Sequence, residues 1–319
     1  MRIARRTLLG GVALAGVAQA QPAYPSRPVR IIVGAPPGGS SDIGTRLLAA
    51  KLSERFGQPV IVENKPGATG AIAAAEVARA APDGHTLLFT ASWHATAAAI
   101  KTTLPYDTLA DFSFVSTLTT YGMMLAVRPD APWERLEDLV AAARARPGGI
   151  SYYSVGIGSA HHLLGEWLCS ATGIELVHVP YRGSSNALPD FLAGRVDLMI
   201  ETMTVALDQA RGAKARPLAV SSTDRLVDLP DVRRTSEIIP GFTYDSWLGL
   251  LGPPGLSPAL LETLNQGVRG AVAAPDVAAR LRELGALPEA CSPAEFRARV
   301  AAEVAHWTRI VEARNIPRQ

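Results

Sequence analysis

Only two cysteines, Cys169 and Cys291, occur in 319 residues, and aromatic residues make up just 6% of the chain. So few cysteines exclude a disulfide-framed scaffold. They leave either one bridge or two buried thiols, with Cys169 among Leu163, Leu164, Trp167 and Leu168 and Cys291 in a Pro-flanked loop. An excess of one charge is missing too. The 31 basic and 29 acidic residues form no Lys/Arg cluster, which excludes a nucleic-acid or anionic-membrane footprint. After the first twenty residues no apolar run is long enough to span a bilayer. A P-loop, a G-x-S-x-G elbow and an H-E-x-x-H pair are all absent, and Gly156-Ile157-Gly158-Ser159-Ala160-His161 lacks the third glycine of a dinucleotide fingerprint. No cofactor and no bound metal are expected. The one enzymatic grouping left is a hydrolase of Ser159, His162 and Glu201, for which a shared fold would be analogy only.

What is present is a turn-rich globular composition, 48% hydrophobic and 19% charged with 28 glycines and 24 prolines, in a chain long enough for two domains. Arg2, Arg5 and Arg6 precede a short apolar run at 8–17 and the small-residue site Ala18-Gln19-Ala20. This pattern predicts an export signal over 1–20, cleaved after Ala20; the Arg5-Arg6 pair also fits a twin-arginine signal. Cleavage would remove three arginines and no acids, leaving 28 basic against 29 acidic groups. The expected location is the periplasm.

Short β-rich runs at 29–33, 60–63, 86–89, 150–154, 175–179, 196–201 and 217–221 alternate with helical patterns, which predicts βαβ units and parallel sheets. Ile43, Leu47 and Ala50 mark one helix, and Phe296, Val300, Val304, Trp307 and Val311 mark a long C-terminal one. Three times a strand runs through a Gly/Ser turn into a helix: at Pro37-Gly38-Gly39-Ser40-Ser41-Asp42, at Gly156-Ile157-Gly158-Ser159 and at Arg182-Gly183-Ser184-Ser185. Each turn ends in a serine suited to cap the next helix, and each brings unsatisfied N–H groups to the carboxyl end of a strand. A single such turn is an ordinary connector. Three of them, from separate regions, point to a cleft for a carboxylate or a phosphate. Extended stretches at 122–128 and 246–252 are expected to cross between two lobes and serve as the hinge.

These residues resemble a known family. The matching motifs include Tyr24-Pro25-Ser26-Arg27-Pro28, Pro37-Gly38-Gly39 with Asp42, Val62-Glu63-Asn64-Lys65-Pro66-Gly67-Ala68 and Pro82-Asp83-Gly84-His85-Thr86. They continue through Leu104-Pro105-Tyr106-Asp107, His162-Leu163-Leu164-Gly165-Glu166, His178-Val179-Pro180-Tyr181-Arg182-Gly183, Leu218-Ala219-Val220 and Ser246-Trp247-Leu248-Gly249-Leu250. In this order and spacing the chain resembles the solute-binding receptors of tripartite tricarboxylate transporters, the Bug-type periplasmic binding proteins, over essentially all of its length after residue 20. The resemblance implies an α/β, type II periplasmic-binding-protein fold: two Rossmann-like lobes joined by hinge strands, lobe 1 being 21–123 plus 246–319 and lobe 2 being 124–245. It also implies closure on a small carboxylated solute that is handed to membrane transporter subunits; a sensor kinase is the alternative partner, and the protein is expected to be a monomer that does not enter the membrane itself.

Carried over residue by residue, the family's contacts fall on Ala35, Gly38, Gly39, Ser40, Ser41 and Ser92 in the first lobe and on Gly156, Gly158, Ser159, Tyr181 and Glu201 in the second. Two departures lie where solutes are selected, Glu201 where the family usually has aspartate and Gly34-Ala35 in place of a frequent Pro-Phe, and the segment 90–100 with Trp93 also differs after His94. The resemblance thus gives a class of solute without its identity. Among nearby residues, Asp42 is expected to cap a helix, since its charge would repel a carboxylate there. Arg182 is expected in solvent and His162 in helix packing. Asn64 is expected to bond the Lys65-Pro66-Gly67 turn. Glu201 is read either as a ligand contact or as a strand end in water.

Overall fold

A computed structural model gives the structure of residues 24–226 and 229–319; the expected export signal lies outside the described residues. β1 (Val29–Val33) has every residue but Arg30 buried, as expected of a β-branched strand covered on both faces. It leads into α1 (Ser40–Phe56), β2 (Val60–Asn64), α2 (Ala71–Ala78), β3 (Thr86–Ala91) and α3 (Trp93–Ile100). β1 lies between β2 and β3, parallel to both. The chain continues through β4 (Ser113–Val127), α4 (Leu136–Ala145), β5 (Ser151–Ser154), α5 (Ala160–Thr172), β6 (Val177–Pro180), α6 (Ser184–Leu192), β7 (Leu198–Thr202), α7 (Met203–Arg211) and β8 (Arg216–Val220). Last come β9 (Asp245–Gly252), α8 (Pro258–Ala273), α9 (Pro275–Glu283), β10 (Leu287–Pro288) and α10 (Pro293–Ala313).

The expectation of parallel sheets is corrected at the centre. β9 runs antiparallel to both β3 and β4, and β4 runs antiparallel to β7 and β8. β4 belongs to both sheets: its residues 113–122 pair with β9, and from Met123 onward it pairs with β7 and β8. The change of partner falls at Gly122, where a Cβ would stand 2.7 Å from the Cβ of Ser222. A side chain there would push the segment after β8 away from β4, so the close approach of the two requires glycine.

Each sheet is covered on both faces. In the first lobe Val29, Leu48, Leu248 and Val268 fill one side, and Ile32, Val77, Trp247 and Phe296 fill the other. In the second, Leu125 and Tyr152 pack beneath α5 with its Leu164, while Met124, Tyr153 and Met199 pack beneath α6 and α7 with Phe191 of α6. The result is a pair of three-layer α/β units. α10 follows its predicted stripe and touches both: Phe296 and Val300 enter the first-lobe core, and Trp307 and Val311 the second. Its start is fixed by Ser292, which accepts from the Glu295 N–H while Glu295 accepts from the Ser292 N–H. The cysteines are separate free thiols, Cys169 in the second-lobe core and Cys291 in the first, so they form no bridge.

Candidate functional site

A cavity of about 540 Å³ opens where the two sheets meet. Five helix starts reach it, each following the carboxyl end of a strand: Gly39 and Ser40 at α1, Ser92 at α3, Gly156 and Ser159 at α5, Gly183 and Ser184 at α6, and Glu201 and Thr202 at α7. Helix N-termini carry unpaired N–H groups and the positive end of the helix dipole, so their convergence makes the cavity receptive to an anion. Among the described residues lining it there is no lysine or arginine.

Six of the expected contacts are therefore in the wall: Gly39, Ser40, Ser92, Gly156, Ser159 and Glu201. Ala35, Gly38, Ser41, Gly158 and Tyr181 stand outside the wall. Gly38 donates its N–H to Asp42 at 3.0 Å, and Ala35 offers its carbonyl to the Asn64 amide at 3.1 Å. Asn64 also donates to Asp42, so it fastens the first turn and not the Lys65-Pro66-Gly67 turn. Asp42 is buried, and the hydrogen bond from Arg46, with those from Gly38 and Asn64, lowers its carboxyl to about 2. Ser41 is buried and accepts at its carbonyl from Thr45. Gly158 has φ +79 and donates to His162 Nδ1, and Tyr181 donates its hydroxyl to Asp190. Arg182 is exposed.

Serine capping is realised once among the three turns. Ser159 accepts from the His162 N–H, whereas α1 and α6 begin at Gly39 and Gly183 without a side-chain cap. Ser40 and Ser184 fall instead in the first helical turn, on the cavity side.

Glu201 does not end its strand in water. It is fully buried; its Oε1 accepts from His161 Nε2 at 2.9 Å and from the Thr202 N–H at 2.8 Å, and its Oε2 accepts from Tyr153 at 3.2 Å. Burial alone would raise its carboxyl, but the attraction and hydrogen bond of His161, with the other donors, bring it below the usual range. His162 lies elsewhere: it stacks on His178 with centroids 4.0 Å apart, and burial lowers both imidazoles to about 4. Ser159 Oγ donates to the Gly156 carbonyl at 2.7 Å. The three residues of the hydrolase grouping thus take separate partners, and the imidazole at Glu201 belongs to the neighbouring His161.

Several wall residues were missed from sequence. Trp93, Tyr121, His161, Thr204 and Ser246 all line the cavity, and Ser92 and Ser246 share a hydroxyl hydrogen bond of 2.6 Å. Ser246 and Trp93 did fall in segments singled out above. His161 carried no signal of its own beside His162.

Two α/β lobes that share β4 and enclose an anion-receptive cavity have the build of a periplasmic binding protein. Residues 45–316 match the model of the tripartite tricarboxylate transporter family receptor, TctC, and the chain belongs to that family. It is 34% identical over 305 residues to the protein BugT of Bordetella pertussis, covering 94% of each chain. Among solved structures it is similar to Rpa4515 of R. palustris with adipate, at 33% identity and a TM-score of 0.81, covering 92% of this chain and 99% of that one. It is also similar to MatC of Rhodopseudomonas palustris with bound malate, at 31% identity and a TM-score of 0.78, covering 90% and 100%. Receptors of this family are periplasmic and bind small carboxylates. No helix among the described residues is long and apolar enough to cross a membrane.

Proposed function

We propose that this protein is an exported receptor that captures a small carboxylate between its lobes and delivers it to a tripartite tricarboxylate-type membrane transporter. The observation that carries the reading is the convergence of five helix starts on one cavity whose described lining has neither lysine nor arginine. Such a site holds a carboxylate through N–H groups and hydroxyls, without a formal cation from those residue types. The solutes of Rpa4515 and MatC, adipate and malate, support the choice of carboxylate over phosphate. In this reading lobe 1 is 21–123 plus 246–319, lobe 2 is 124–245, and the protein works as a monomer that binds reversibly and does no chemistry. Gly39, Ser40, Ser92, Gly156, Ser159 and Glu201 form the wall against the solute, and Ala35, Gly38, Ser41, Gly158 and Tyr181 hold the turns that present it.

A thermal-shift panel of mono-, di- and tricarboxylates on ligand-stripped protein tests this. A solute bound only by the folded form stabilises it by RT ln(1 + [L]/Kd), about 2.7 kcal/mol at a hundredfold excess over Kd. A panel without a single shift refutes the reading, and consumption of the bound compound replaces it with an enzyme.

A further inference from the structure

Gly158 is the one residue of the stretch 155–161 that does not line the cavity. Its N–H turns the other way and donates to Nδ1 of His162 at 3.1 Å. Both residues are buried, so this N–H depends on the imidazole for its partner. An N–H needs an acceptor, which makes Nδ1 bare and places the hydrogen of the neutral ring on Nε2. Burial, which lowers the imidazole to about 4, keeps the ring neutral at ordinary pH.

The ring is itself fixed from two sides. One face stacks on His178, and His178 stacks at 5.1 Å on Tyr152, its partner across β5 and β6. One helical turn further along α5, Glu166 Oε1 stands 4.0 Å from His162 Nε2, anchored by the Tyr152 hydroxyl at 2.8 Å, while Oε2 accepts from Arg314 at 2.9 Å. A carboxylate on that side favours the hydrogen on Nε2 and leaves Nδ1 as the acceptor. The beginning of the turn is tied to the same group, because Ser154 Oγ lies 2.7 Å from His178 Nε2 and accepts from the Gly156 N–H at 3.2 Å. Gly156 and Gly158 are thus both held from behind the wall.

We infer that His162 is a positioning residue for solute binding: its Nδ1 pins the Gly158 N–H and so holds the 156–159 turn with Gly156, Ile157 and Ser159 toward the solute, although His162 itself lies outside the cavity wall. Without that acceptor the Gly158 N–H is left buried and unpaired, and the turn satisfies it only by rotating out of the geometry that forms the wall. The inference rests on the reading of the cleft as a carboxylate site, and its test separates the two.

Titration calorimetry on ligand-stripped protein would use the carboxylate that shifts melting most, with adipate and malate among those tried, on the wild type, His162→Leu and His162→Asn. Leu and Asn have nearly the same shape, and both lose the ring and its stack on His178. Asn alone keeps an oxygen where Nδ1 stood. His162→Leu is expected to weaken binding by about tenfold or more, and His162→Asn to stay within about threefold of the wild type. Wild-type affinity in His162→Leu overturns the role of His162 and leaves the carboxylate reading standing. So does an Asn variant weakened as much as the Leu variant, since the ring and not its acceptor would then matter. Absence of binding by every carboxylate to the wild type sinks both. Should either variant fail to fold, ¹⁵N-histidine spectra of the wild type decide: His162 with a bare Nδ1 and a protonated Nε2, free and in complex, supports the inference, and a protonated Nδ1 overturns it.

Discussion

Glu303 offers a quantitative test of how the core behind the cavity is built. It lies on α10, and its Oε1 accepts from Trp247 Nε1 at 2.9 Å, directly after the cavity-lining Ser246. The residue as a whole is only partly buried, yet Oε2 is shielded from water and has no hydrogen-bond partner. Burial raises its carboxyl to about 8; the Trp247 bond and Arg299 pull it down, and Asp245 adds to the rise. Because the native value lies above the unfolded one, the stabilising contribution is complete below about pH 4.5 and is lost as pH rises toward 8. In that window the unfolded chain releases the proton and the native protein keeps it. Each unit of pH then costs about 1.4 kcal/mol, which bounds the whole effect at about 5 kcal/mol. Partial access of water to the residue brings the expected figure nearer 2–3 kcal/mol, as an order of magnitude.

Glu303→Gln keeps a carbonyl for Trp247 and cannot ionise. Urea unfolding of both proteins from pH 5 to pH 8.5, followed by far-ultraviolet circular dichroism, isolates the term because other titrating groups cancel in the difference. The variant should gain about 2 kcal/mol on the wild type between the ends of that range. Stability profiles that stay parallel would refute a native Glu303 that holds its proton at neutral pH.

Four further outcomes are expected. Gly158→Val places a Cβ 2.7 Å from Ile100 Cγ2 at φ +79, so it should cost about 2–4 kcal/mol of stability and weaken carboxylate binding, read by melting and calorimetry; wild-type values for both would contradict the turn geometry. Arg182→Ala should change affinity by less than about threefold, since the residue is exposed and outside the cavity wall; lost binding would place a cation at the solute. Cys169 and Cys291 should resist thiol reagent in the native protein and both react in denaturant without reductant; an oxidised pair would refute the separate cores. Solution scattering should give a smaller radius of gyration with a bound carboxylate than without, and equal values would exclude closure around a hinge.

Local chemistry made much of this fold legible. Runs of β-branched residues placed β1 within its observed limits, and the spacing of Phe296, Val300, Trp307 and Val311 marked the buried stripe of α10. The Gly/Ser turns gave away the anion-receptive ends of α1, α5 and α6, because turn residues and helix starts are decided within a few positions of the chain. The tertiary structure alone decided what those ends meet. β4 was visible only as an extended stretch at 122–128; that it runs unbroken from Ser113 and changes partners at Gly122 depends on β7, β8 and β9, which lie 70 or more residues further along. The same holds for the two histidines. Neighbours on a helix point about 100° apart, so a sequence places His161 and His162 on different faces without saying what each face confronts. Packing of α5 against β7 set His161 on Glu201, and packing against β6 set His162 on His178, because a buried charge and a buried ring each find their partner only when strands distant in sequence are brought side by side.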